Sequence, residues 1–150
     1  MPLVEKISAD VKAAMKSGDK LRLETLRTVL AALKEKEVEK RTSGGMKPDD
    51  ELSVLIQASK KRREAADIYA QQGREDLSSQ EERELAIIQE YLPKQMDIGE
   101  LETVIRRLIA ETGAASPADF GRVMPAVMKE VKGRIDGKTV QATVRKLLEG

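Results

Sequence analysis

The sequence has no cysteine and no histidine, and only three aromatic residues, Tyr69, Tyr91 and Phe120. Without cysteine there is no disulfide, no thiolate nucleophile and no thiolate zinc site. Without histidine the commonest general base near neutral pH and the commonest metal ligand are missing. The three aromatics fall on apolar stripes and leave no platform for splayed bases, which argues against single-strand readout. A surplus of either charge is missing too: Lys plus Arg number 27 against 26 for Asp plus Glu, a net charge of +1. Any anion site must therefore be local. No apolar run reaches the roughly 18 residues of a membrane span, and the opening Met-Pro-Leu-Val-Glu-Lys lacks the basic then apolar order of a signal peptide. A cytoplasmic protein is the expectation.

What is present is a succession of amphipathic helical patterns. In 150 residues, 40% apolar and 35% charged, one modest core or two small ones can be buried. Val4, Ile7, Val11, Ala14 and Met15 form a first stripe that Gly18 closes. Asp19 caps a second helix through Leu23, Leu26, Val29, Leu30 and Leu33, whose charged end, residues 34–41, projects into water. Pro48, followed by Asp49, Asp50 and Glu51, starts a third that runs to about residue 72. Ser79 with Glu82 reads as a capping box for a fourth, which Pro93 stops. Asp97 with Glu100 and the stop at Gly113 frame a fifth. Ser116, Pro117 and Asp119 open a sixth, in which Pro125, nine residues after the cap, should kink or split the helix. Asp136 caps a last helix with Val140, Val144, Leu147 and Leu148 on its inner face. No alternating strand pattern occurs, so the expected fold is all-α: an N-terminal helical bundle over residues 1–95 and a smaller C-terminal helical domain over residues 96–150.

Charge concentrates downstream. Within residues 120–150, seven cations stand against Glu130, Asp136 and Glu149. The stretch Lys132-Gly-Arg-Ile-Asp-Gly-Lys138 sets glycines and cations at the opening of the last helix, whose first-turn N–H groups have no partner within the helix. Ordinary capping with a solvated rim explains the same residues, and Asp136 opposes a tightly held anion. As a phosphate-backbone contact the expected residues are Arg122, Lys129, Lys132, Gly133, Arg134 and Lys138, giving affinity without sequence readout and a steep salt dependence. The run Lys60-Lys-Arg-Arg63 fans around about 300° of a helix and forms no single face. Glu81, Glu82 and Glu84 beside Asp76 read as the negative start of a helix rather than a metal site.

Several stretches together resemble a known family. Gly73-Arg-Glu-Asp-Leu77, Glu90-Tyr-Leu-Pro-Lys-Gln-Met96, Glu111-Thr-Gly-Ala114, Gly121-Arg-Val-Met124, Val131-Lys-Gly-Arg134 and Asp136-Gly137 resemble, in that order, the GatB/YqeY family and its small stand-alone YqeY-like members. The resemblance spans nearly the whole chain and implies two helical domains. In larger relatives the region is appended to the B subunit of the glutamine-dependent tRNA amidotransferase, where the tail is understood to contact tRNA while amide transfer takes place on a catalytic domain that this sequence does not contain. Gly121, Met124, Lys132, Gly133 and Asp136 carry over as structural and candidate tRNA-contact positions.

The expectation is thus a noncatalytic tRNA-binding or amidotransferase-related accessory protein, despite the family's association with carbon–nitrogen ligase activity. Its implied partners are tRNA and a protein of tRNA processing or aminoacylation, with no membrane and no cofactor. The alternative is a protein-binding adaptor that uses a groove between the domains or the Met124 and Met128 face. An amidotransferase acting alone would need an ATP-binding motif, a metal site and a glutaminase nucleophile, none of which the sequence supplies.

Overall fold

The computed structural model describes residues 2–150 as seven α-helices without a strand among them. These are α1 (Pro2–Ser17), α2 (Lys20–Lys40), α3 (Pro48–Gln71), α4 (Glu75–Gln89), α5 (Ile98–Thr112), α6 (Phe120–Val131) and α7 (Gly137–Leu148), with 3-10 turns at Arg41–Ser43 and Pro117–Asp119. The chain divides into two compact units, Met1–Leu92 and Pro93–Gly150.

In the first unit α2 is the hub, touching α1, α3 and α4, while α3 and α4 pack along each other. Ile7, Leu26, Leu33 and Ile88 are fully buried at its centre, each stabilising the fold by about 1.5–3 kcal/mol relative to exposure. The stripe through Leu33 matches the sequence pattern, and the charged tract beyond it stays helical to Lys40 because lysine and glutamate are good helix formers. Lys36 pairs with Glu39 at 3.3 Å and Lys40 reaches Asp50 at 3.6 Å on α3.

The start of α4 departs from expectation. The helix begins at Glu75, so Ser78 and Ser79 lie inside it rather than at its cap. Gly73 takes a left-handed φ of 72°, and the Arg74 N–H closes onto the Tyr69 carbonyl at 2.8 Å, turning the chain directly into α4. Glu75 and Asp76 then supply the first-turn negative charge that the helix dipole favours. The buried Ser78 hydroxyl donates instead to the Ala66 carbonyl of α3 at 2.9 Å. Glu81, Glu82 and Glu84 consequently sit in mid-helix and are not the acidic start that the sequence suggested. Burial, followed by the charge of Glu84, pushes the Glu81 carboxyl above its ordinary range.

A polar network closes this unit. Arg22 makes a two-pronged pair with Glu90, at 2.9 and 2.8 Å, which holds the Glu90 carboxyl below its usual range. The Tyr91 hydroxyl donates to Asp10 at 2.5 Å, and Lys6 lies 5.3 Å from the Tyr91 ring centre. Burial first, and then the bond to Asp10, raise the Tyr91 hydroxyl above its ordinary value. A raised folded-state value means stability that is complete below the unfolded tyrosine value of about 10 and lost as pH climbs above it. Tyr91→Phe is therefore expected to flatten the alkaline fall in stability between about pH 9 and pH 11, while costing about 1 kcal/mol at neutral pH. Urea unfolding of both proteins across that range checks it; identical alkaline slopes refute it.

The second unit is a triangle of α5, α6 and α7 around Leu101, Ile105, Val123, Val127, Val131, Val140 and Val144, all fully buried. Asp97 caps α5 by accepting from the Glu100 N–H at 2.8 Å, and Gly113 ends it at a φ of 71°. Pro125 neither splits the helix nor ends it, since α6 runs continuously through it. The break falls earlier, where the Pro117–Asp119 turn gives way to α6. Gly121, four residues before the proline, is exposed, so water can take the carbonyl that Pro125 cannot serve.

Candidate nucleic-acid interface

The residues expected to meet a phosphate lie in the second unit. α6 ends at Val131, and the chain reverses through Lys132 and Gly133, whose φ of 79° is a left-handed turn that favours glycine. The Arg134 N–H closes the turn on the Val131 carbonyl at 2.9 Å. Residues 93–96 are bolted against it: the Gln95 amide donates to the Gly133 carbonyl at 2.8 Å and to the Pro93 carbonyl at 2.9 Å. Arg134 Nε donates to the Lys94 carbonyl at 3.0 Å, and the Met96 N–H to the Arg134 carbonyl at 2.9 Å. Met96 is buried in the core beneath. The turn is thus held from both sides, and one edge of the Arg134 guanidinium is committed to holding it.

α7 opens directly after this joint. Asp136 occupies the cap position, yet its side chain accepts nothing from the first-turn N–H groups; the Thr139 hydroxyl lies 3.5 Å from its carboxylate. Gly137 and Lys138 are exposed at that opening. Lys132, Asp136 and Lys138 each take part in further polar or charge contacts within the chain. Glu130 is drawn to Arg107 of α5, which leaves it paired outside the cationic segment.

The six expected residues do not all gather here. Lys132, Gly133 and Arg134 share the turn, Lys138 is in the first turn of α7, and the exposed Lys129 stands in the last turn of α6. Arg122 lies near the opposite end of α6, about 15 Å from Lys132 along the helix axis, and pairs with Asp119 at 3.3 Å. Arg122 and Lys129, seven apart, do fall on one face of α6. The bonds from Gln95 and Arg134 across the joint escaped the sequence reading, since nothing local announces contacts about 40 positions apart. Phe120 is half-buried with the Arg145 guanidinium 4.7 Å from its ring centre. Met124 and Met128 are half-buried and pack against the core of this unit. Among the described residues no cluster of acidic side chains is placed to hold a metal ion.

A family model described as "Yqey-like protein" matches residues 4–148. The chain belongs to the YqeY-like family. Curated relatives of this YqeY-like chain carry the name "Altered inheritance of mitochondria protein 41, mitochondrial". The one from Eremothecium gossypii is 35% identical over 57% of this chain and 46% of its own length. That from Clavispora lusitaniae is 27% identical over 86% of the chain and 74% of its own length, and that from Pyrenophora tritici-repentis 28% over 97% and 81%. The match thus spans less than half of the first relative's length.

Those names correct one expectation. They point to mitochondria rather than to the cytoplasm. The cytoplasmic reading rested on a missing membrane span and leader. No helix among the described residues is long and apolar enough to cross a membrane, but a fold of charged amphipathic helices looks the same in either compartment.

Proposed function

We propose that this YqeY-like protein binds tRNA as a noncatalytic accessory, docking a phosphate backbone at the joint between α6 and α7. The observation that carries the reading is the opening of α7: its first-turn N–H groups receive no cap from Asp136, with Lys132 and Lys138 on either side. The held turn gives these donors a fixed geometry, which favours contact with a regular duplex backbone over capture of a flexible strand. The resemblance to the tail of the amidotransferase B subunit supports tRNA as the nucleic acid. Because the contacts are to phosphate, affinity across tRNA species is expected to be nearly uniform.

Titrating total tRNA with the full chain tests it. Raising salt from about 50 to about 200 mM should weaken binding by about 10- to 100-fold, as a few neutralised phosphates require. Binding that ignores salt, or no binding at the lower salt, overturns the reading.

A further inference from the structure

We propose that the groove between α2 and α3 in the first unit is a docking site for an acidic amphipathic helix of a partner protein. The groove has a volume of about 240 Å³, enough to seat a leucine-sized side chain. Val29 and Ala58, both buried, form its floor with Val54. Its walls are small: Ala32 rises on the α2 side, and the α3 wall carries the exposed Gln57.

Charge selects the occupant. Every ionisable group lining the groove is a cation, Lys36, Lys61 or Arg62. Lys36 and Arg62 have side chains only 28% and 11% exposed, so their stems line the walls. Lys36 pairs with Glu39 on its own helix at 3.3 Å, while the Arg62 guanidinium donates to the Ala58 carbonyl at 3.4 Å and lies 4.0 Å from Glu84. Lys61 is exposed and forms no ion pair among the described residues. The Lys40–Asp50 pair beside the short connector sets α2 and α3 antiparallel, placing Lys36 toward one end of the groove and Lys61 with Arg62 toward the other. The four-residue steps along each wall span about 12 Å. A helix with acids two turns apart around leucine and alanine satisfies both ends and the floor. A phosphate chain would meet an apolar floor with no aromatic face on which to stack a base, which disfavours nucleic acid here.

The test is an amide NMR titration of the full chain with a helical peptide of leucine and alanine carrying glutamates two turns apart, beside a control peptide with lysines in their place. Shifts confined to α2 and α3 are expected with the acidic peptide and not with the control. Lys61→Glu together with Lys36→Glu should weaken binding at least about tenfold, and Ala32→Trp, filling the groove from a half-exposed position, should abolish it, with thermal melts confirming that the variants fold. No shift at millimolar acidic peptide, or equal shifts with the lysine control, overturns the proposal. So does tRNA moving these amides where the peptide does not, and so do shifts that follow protein concentration alone, which would assign the groove to a second copy.

Discussion

Ile105→Ala is expected to destabilise the second unit by about 2–5 kcal/mol, the range for truncating a fully buried aliphatic side chain. Ile105 is 0% exposed, and α5 supplies only Leu101 and Leu108 beside it to the buried core. A unit spanning residues 93–150 is small enough that its stability margin is slender. Because α5 packs on α6 and α7, a cavity left at Ile105 opens in the core the three helices share. The loss should appear as a lower urea midpoint for amide signals of residues 93–150, with the slope of the transition retained. Arg106→Ala, the exposed neighbour, should stay within about 0.5 kcal/mol. Equal effects at the two positions would refute the placement of this core.

That contrast also shows why so much of the fold was legible. Ile105 and Arg106 are adjacent, and only the helical period distinguishes them; the same period sorted Leu26 from Arg27 and Val144 from Arg145. Glycines at 18, 73 and 113 adopt the left-handed backbone that their place after an apolar stripe suggests. The misreadings arose where two signals compete. Ser79 and Glu82 have capping chemistry, but the closure at Gly73 fixed the start of α4 before they were reached, and Ser78 was claimed by a carbonyl of α3. Pro125 carries a strong local penalty, and continuous packing of Val123, Val127 and Val131 outweighs it.

The candidate site was legible to a lesser degree. Composition located the cations, and the glycine turn located the helix opening, because both are local properties. That Asp136 withholds its cap, that Gln95 takes the Gly133 carbonyl and that Arg134 is engaged with Lys94 depend on tertiary approach. Spacing alone likewise hid the network of Arg22, Glu90, Tyr91 and Asp10, whose members lie far apart in the chain. A residue can therefore be cationic and well placed in sequence while its first task is holding the backbone. Arg134 is the case in point, and it governs which substitutions can report on binding.

Lys132→Glu combined with Lys138→Glu is accordingly the variant expected to change tRNA affinity most without cutting the Arg134 bond. Each reversal removes an attraction to phosphate and installs a repulsion, for a loss on the order of tenfold per position at low salt. The slope of log affinity against log salt should become shallower by about two, since two phosphates are no longer neutralised. Lys12→Glu with Lys16→Glu on α1 makes the same change of net charge at exposed positions and should lower affinity far less, separating contact from bulk field. Arg122→Glu should have a smaller effect than either joint residue, because its place near the start of α6 and its pairing with Asp119 remove it from the opening of α7. Thermal melts of each variant exclude unfolding as the cause, and Lys132→Gln gives a milder step in the same direction. If the joint reversals and the α1 reversals weaken binding equally, any contact is diffuse and the α7 opening is no docking site; if neither pair has an effect, phosphate recognition by this segment is refuted outright.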